Sequence, residues 1–169
     1  MQIITETVIE KPADAIWGIV GDRFGQAYEW ASLLTHSTGH GAPLSGQVCE
    51  ARTCDVKGMG NIQERLVEFD PGRHVLSYEV TKGFPFFVLR GVNHWQISGL
   101  GATRCRVTTT ASITTKGVVG FMMAPMMRMQ MSGMLRSMLE DLKHYAETGQ
   151  PHPRKLKSVR AAKIAAARA

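Results

Sequence analysis

Three side chains of complementary chemistry lie on successive extended stretches of this sequence: Arg52, Glu64 and Tyr78. A carboxylate can accept a proton, and a guanidinium or a phenol can hold the charge that then develops on an enolate oxygen. Glu64 would be the base and Arg52 or Tyr78 the stabiliser. No spacing enforces the assembly. On a strand face turned to water, Arg52 and Glu64 would be ordinary solvated charges, and Tyr78 could equally be core packing. If the two charges face an apolar interior, each must be paired or hydrogen-bonded, because an unpaired buried charge is prohibitively costly.

Other chemistry is sparse. His36 and His40 form an H-x-x-x-H pair in HSTGHGAPLSG, a stretch that reads as loop by composition, so no helix sets them on one metal-binding face. His94 stands alone before Trp95. Cys49, Cys54 and Cys105 are odd in number and lack C-x-x-C spacing, so neither a disulfide framework nor a zinc site is indicated, and they read as small buried hydrophobes. No phosphate-binding glycine loop or nucleophile elbow is present. No metal and no cofactor is expected.

Eight of the ten methionines lie between Met122 and Met138. Methionine is unbranched, flexible and polarizable, so it fits partners of varied shape. Met123, Met127, Met131, Met134 and Met138 step by four, four, three and four, which makes one helical stripe, with Met122, Met126 and Met129 beside it. The stripe could be an adaptable core, the wall of an apolar pocket, or a thioether site for Cu(I). No Cys or His lies among them, which weighs against copper.

The elements that must position these residues follow from periodicity. Residues 2–9 alternate and are β-branched, which predicts a strand. Pro12 opens a short helix over 15–20, and a second helix or turn covers 25–34. Strands follow over 48–54, 61–69, 74–81, 87–98 and 103–115, with a turn at Asp70-Pro71-Gly72 and another around Gly99-Leu100-Gly101. Ile62, Glu64 and Leu66 should share one face of their strand, with Arg65, Val67 and Phe69 on the other. In the last strand Cys105, Val107, Thr109, Ala111 and Ile113 should face inward. Gly117 to about Thr148 is one long helix that Pro125 either starts or kinks, with Gly149 as its cap. Strands followed by a helix indicate α+β. Only the long helix is large enough to cover the sheet, so the methionine stripe should face it.

At 169 residues the chain is one domain with room for a real core. Residues 1–149 carry as many acids as bases, and the net charge of +6 comes from six cations between Arg154 and Arg168. The division is thus a domain over 1–149 and a basic, flexible tail over 150–169. That tail could make weak contact with an anionic membrane through 154–168. A neutral body makes nucleic acid an unexpected partner. No stretch is apolar enough to span a bilayer, and MQIITETVIEK lacks the pattern of a signal peptide, so the expected location is the cytoplasm.

The stretches TETVIEKPADAIWGIVGDRFGQAYEWAS, GNIQERLVEFDPGRHVLSYEV and GVNHWQISGLGATRCRV, with the helix ending MLRSMLEDLKHYAE, resemble the START-like superfamily. Within it they resemble the bacterial polyketide cyclase/dehydrase and lipid-transport group. The resemblance spans about residues 2–148. It implies a helix-grip fold, in which a curved antiparallel sheet wraps a long C-terminal helix and two short helices follow the first strand. It also implies a cavity for a hydrophobic or aromatic small molecule, with Trp30 matching a tryptophan that relatives carry near it. Tyr78 and Trp95, by strand position, and Met123, Met127, Met131 and Met134, by helical spacing, are the expected lining beside it. A carrier or sensor role, an aldol-type cyclase using Glu64, Arg52 and Tyr78, and a membrane adaptor acting through the tail are the expectations to weigh.

Overall fold

A computed structural model describes residues 1–43, 49–157 and 159. The chain runs β1 (Gln2–Ile9), α1 (Ala13–Val20), a 3-10 helix (Phe24–Glu29), β2 (Leu34–Pro43), β3 (Cys49–Val56), β4 (Gly60–Asp70), β5 (Val75–Lys82), β6 (Val88–Gly99), β7 (Cys105–Thr115) and α2 (Gly117–Thr148). The strands form one antiparallel sheet in the order β1-β7-β6-β5-β4-β3-β2. Among the described strands the only non-sequential neighbours are β1 and β7, so the helical crossover after β1 carries the chain from one sheet edge to the other.

This is the α+β fold expected from the element order, in the helix-grip arrangement that the resemblance implies. In β7 the alternation holds: Cys105, Val107, Thr109, Ala111 and Ile113 are all buried. Thr109 is tolerated there because its hydroxyl bonds the Thr5 hydroxyl of β1 at 2.7 Å. The main core gathers α1, the 3-10 helix, Leu76, Trp95, Ile97 and the C-terminal part of α2, through Leu139 and Leu142.

Two of three local expectations need correction. Residues 36–43 are not loop but the greater part of edge strand β2, paired with β3 through a register that slips at Leu34/His36 and His40/Pro43. Glycine and proline are tolerated because an edge strand need pair on one side only. His36 and His40 are therefore exposed strand residues, each bonded to a threonine, Thr38 and Thr53. The segment expected as a second short helix or turn is both: the 3-10 helix ends at Glu29, turns follow, and β2 begins at Leu34. In β4, a bulge between Leu66 and Glu68 switches the alternation, so Phe69 faces inward opposite Leu76 and stacks on Trp17 at 5.1 Å.

α2 runs unbroken through Pro125. It ends at Gly149, whose φ of 72° lets its N–H turn back to the Tyr145 carbonyl at 2.8 Å. Its two halves pack differently. Leu135, Leu139, Asp141 and Leu142 are buried, whereas Gly120 is the only buried residue before Leu135. Met123, Met127, Met131, Met134 and Met138 are half-buried on the sheet side, and Met122, Met126 and Met129 are exposed. The chain beyond Gly149 turns back on the domain: residues 153–157 are helical and Lys155 is buried. Residues 160–169 of the basic segment lie outside the described residues. Among the described residues no helix is long and apolar enough to cross a membrane.

Candidate functional site

The inner faces of β3 to β7 and the middle of α2 enclose a cavity of about 110 Å³. Its wall is mostly aliphatic, with Val56, Ile62, Val80, Val92, Ala111 and Ile113 from the sheet and Met131, Met134, Leu135 and Met138 from α2. Four polar side chains break this surface: Arg52, Glu64, Tyr78 and Asn93. Glu64 is the only carboxylate among the described residues lining it.

The polar four are two cross-strand pairs. The β3–β4 register places Arg52 opposite Glu64, and the β5–β6 register places Tyr78 opposite Asn93. Facing residues on adjacent antiparallel strands bring their side chains into contact. Arg52 Nε donates to Glu64 Oε2 at 2.5 Å, and its Nη1 donates to the Phe24 carbonyl at 2.8 Å. The guanidinium also lies over the rings of Phe24 and Tyr78, at 4.1 and 4.9 Å. Asn93 Nδ2 donates to Tyr78 Oη at 2.9 Å, leaving Asn93 Oδ1 buried without a partner. Turning the amide over would only exchange which atom is unpaired.

Arg52 is 7% exposed, so the solvated-face alternative for this pair is overturned. Burial works against the Arg52 charge. The Glu64 carboxylate, helped by Cys54 and Tyr78, outweighs it and holds the guanidinium above its ordinary range. Burial, reinforced by the Glu64 charge, pushes the Tyr78 phenol up to about 12 against the opposing pull of Arg52. Tyr78 is therefore a proton donor at neutral pH and not a base. Burial likewise pushes the Cys54 thiol up to about 12, and that thiol donates to Glu64 Oε2 at 3.6 Å.

The residues singled out from sequence divide in space. Tyr78, Met131, Met134, Arg52 and Glu64 line this cavity together. Trp30 and Trp95 sit deeper, edge to face at 6.5 Å, around a separate void of about 20 Å³ that Arg52, Tyr78 and Met138 also border. Met123 and Met127 lie on the same face of α2, nearer its start, and border neither space. Asn93 carries no mark in the sequence. Its signal would have been its position opposite Tyr78, but the irregular β5–β6 connection around Gly83-Phe84-Pro85 hides that register in sequence. Phe84, from this connection, closes one end of the cavity and packs on Gly91, where an added Cβ would meet the ring at 2.2 Å. Among the described residues no cluster of His, Cys, Asp or Glu could hold a metal ion.

The family model for polyketide cyclase / dehydrase and lipid transport matches residues 1–147. The chain belongs to this family. Among solved structures it is similar to a START superfamily protein from Mycobacterium smegmatis, at 15% identity and a TM-score of 0.72, covering 86% of this chain and 97% of that one. It is also similar to the Zhui aromatase/cyclase from a Streptomyces species, at 15% identity and a TM-score of 0.65, covering 90% and 99%. A norcoclaurine synthase from Thalictrum superposes with a TM-score of 0.68 at 11% identity, covering 86% and 93%. At these identities the likeness is one of fold. No curated protein matches the chain.

Proposed function

We propose that this family member binds an apolar or aromatic small molecule in the cavity between its sheet and α2, as a carrier or sensor. The observation that carries this reading is the Arg52–Glu64 pair, buried yet facing an aliphatic cavity. Replacing a buried ion pair by packed apolar residues is often neutral or stabilising, so stability alone gives little reason to keep one. Beside it the Tyr78–Asn93 pair leaves the buried Asn93 Oδ1 unpaired, an acceptor that a ligand hydroxyl could satisfy. An apolar wall with a few placed polar groups is how small-molecule pockets fix orientation.

The volume decides what enters. A dry cavity of about 150 Å³ holds a benzene ring, and pockets for larger ligands run to about 300–1,000 Å³. The present 110 Å³ takes a ring-sized group at most. A lipid or polyketide enters by moving Met131 and Met134, unbranched, half-buried side chains where the loosely packed part of α2 meets its buried leucines. Calorimetric titration of the full chain with 2-naphthol tests this, together with native mass spectrometry of protein from its own host. Ala111→Leu, which fills the cavity from β7, should weaken naphthol binding at least about tenfold. Equal binding by wild type and this variant would sink the reading.

The convergence of Arg52, Glu64 and Tyr78 on one cavity favours a second reading, a cyclase of the aldol type. The Zhui protein, an aromatase/cyclase, shares the fold. Glu64 would take the proton, and the fixed Arg52 cation and the Tyr78 hydroxyl would face the developing enolate oxygen. Single variants of a buried pair lose about 3–5 kcal/mol, so Arg52→Met with Glu64→Leu is the variant to assay. Turnover of a linear poly-β-ketone that disappears in this double variant supports catalysis. No turnover by wild type leaves binding as the function.

A further inference from the structure

The first turns of α2 are apolar on both sides. Met123, Met127 and Met131 turn toward the sheet. Val118, Met122 and Met129 share the opposite stripe and are 74%, 72% and 71% exposed, with Phe121 beside them at 81%. A helix that is apolar all round is normally buried, yet among the described residues nothing covers this side. The β5–β6 connection adds Phe86, 78% exposed, and the start of β6 adds the exposed Leu89. A hydrogen bond from the Lys116 N–H to the Phe87 carbonyl, 2.9 Å, ties this connection to the start of α2, so the two segments form one surface.

The charges around this surface are mostly positive. Lys82, Lys116 and Arg128 are exposed at its margin, and Arg90 is bridged to Glu79. From residue 80 to residue 139 the chain contains no Asp or Glu. Monomeric proteins rarely leave so contiguous an apolar area open unless it meets a partner or a membrane.

We propose that this end of the molecule docks on an anionic lipid bilayer, with Phe86, Phe121 and Met122 entering the headgroup boundary. Lys82, Lys116 and Arg128 then lie against lipid phosphates and carboxylates. A second copy fits the surface poorly. A two-fold contact sets the same patch against itself, so it would bring Lys82, Lys116 and Arg128 of both copies together, and the one acid beside them, Glu79, is already paired with Arg90. An anionic bilayer supplies an apolar layer and the counter-charge at once. The docked surface adjoins Phe84 and Met131 of the cavity wall. The inference does not depend on cavity binding, because vesicle association is read without a ligand.

The test is co-sedimentation of the full chain with vesicles of phosphatidylcholine alone and of phosphatidylcholine mixed with phosphatidylserine, at low and at physiological salt. Binding should require phosphatidylserine and weaken with salt. Lys116→Gln with Arg128→Gln should reduce affinity by roughly 25-fold, about fivefold per charge. Phe86→Ser with Phe121→Ser should reduce it at least about tenfold. All four positions are exposed, so thermal unfolding of these variants should match wild type. The proposal is overturned if wild type ignores phosphatidylserine. It is also overturned if Lys163→Gln with Arg168→Gln abolishes binding while the patch variants keep it. A third contrary result is a concentration-dependent dimer, seen by sedimentation velocity, that Phe121→Ser dissolves.

Discussion

Cys54 and Tyr78 carry the pH dependence of the site. Cys54 titrates at about 12 in the folded protein against 9.0 ordinarily, and Tyr78 at about 12 against 10.0. Both shifts come first from burial, which penalises the thiolate and the phenolate. Burial pushes the Cys105 thiol up as well. A raised folded pKa means that the native state holds its proton where the unfolded chain releases it. The stability is therefore complete below pH 9 and is lost as pH rises toward 12. Each such group contributes at most about 1.4 kcal/mol per pH unit across its window. Burial depresses Lys155, which works in the opposite sense, so the difference between variants is the clean measure. Urea unfolding of wild type between pH 8 and 10.5 should show stability falling with pH, and Cys54→Ala should fall less steeply. Identical slopes would mean that the thiol is not shielded as its burial implies.

Elements determine how much of this was legible in sequence. Strands β1 and β3 to β7, the long helix and its cap follow from alternation, turn residues and the glycine at 149. The inward position of Arg52 and Glu64 does not, because a charge on a half-buried strand reads as solvated until the register opposite it is known. Bulges and edges are equally opaque: Phe69 changes face through a bulge after Leu66, and β2 forms despite two glycines and a proline. The methionine stripe was legible as a stripe, but not its depth. All five members are only half-buried, while Leu135, Leu139 and Leu142 hold the other half of α2 to the sheet. This gradient predicts unequal costs. Leu139→Ala should destabilise by about 2–5 kcal/mol, as buried leucines do. Met131→Ala enlarges an existing cavity from a half-exposed position and should cost less than about 2 kcal/mol, with naphthol affinity changing more than stability. Equal costs in chemical denaturation would make the stripe ordinary core.

The molecule as a whole is fixed at one end and open at the other. At the fixed end Asp141 is fully buried on α2. Its Oδ2 accepts the Ser32 backbone N–H at 2.8 Å, and its Oδ1 accepts Arg154 Nη2 at 3.1 Å. Arg154 also reaches Glu140 at 2.8 Å, and the Lys155 ammonium donates to the Leu34 carbonyl. One carboxylate thus joins the long helix, the segment before β2 and the returning chain. Two of the six basic residues that composition assigns to a free tail are spent on this clamp. Holding the C-terminal half of α2 lets the methionine-lined half shift without unfolding the domain, which is the freedom that both an expandable cavity and an apolar docking face require. Asp141→Asn removes the charge that Arg154 pairs with and weakens the acceptor for Ser32. It should cost about 3 kcal/mol, less than a wholly buried pair because Arg154 is part-exposed. Hydrogen exchange should then accelerate over 32–34 and 152–157 while β4 to β7 stay protected. A cost below about 1 kcal/mol, or acceleration spread evenly through the sheet, would show that the clamp does not set the fixed end.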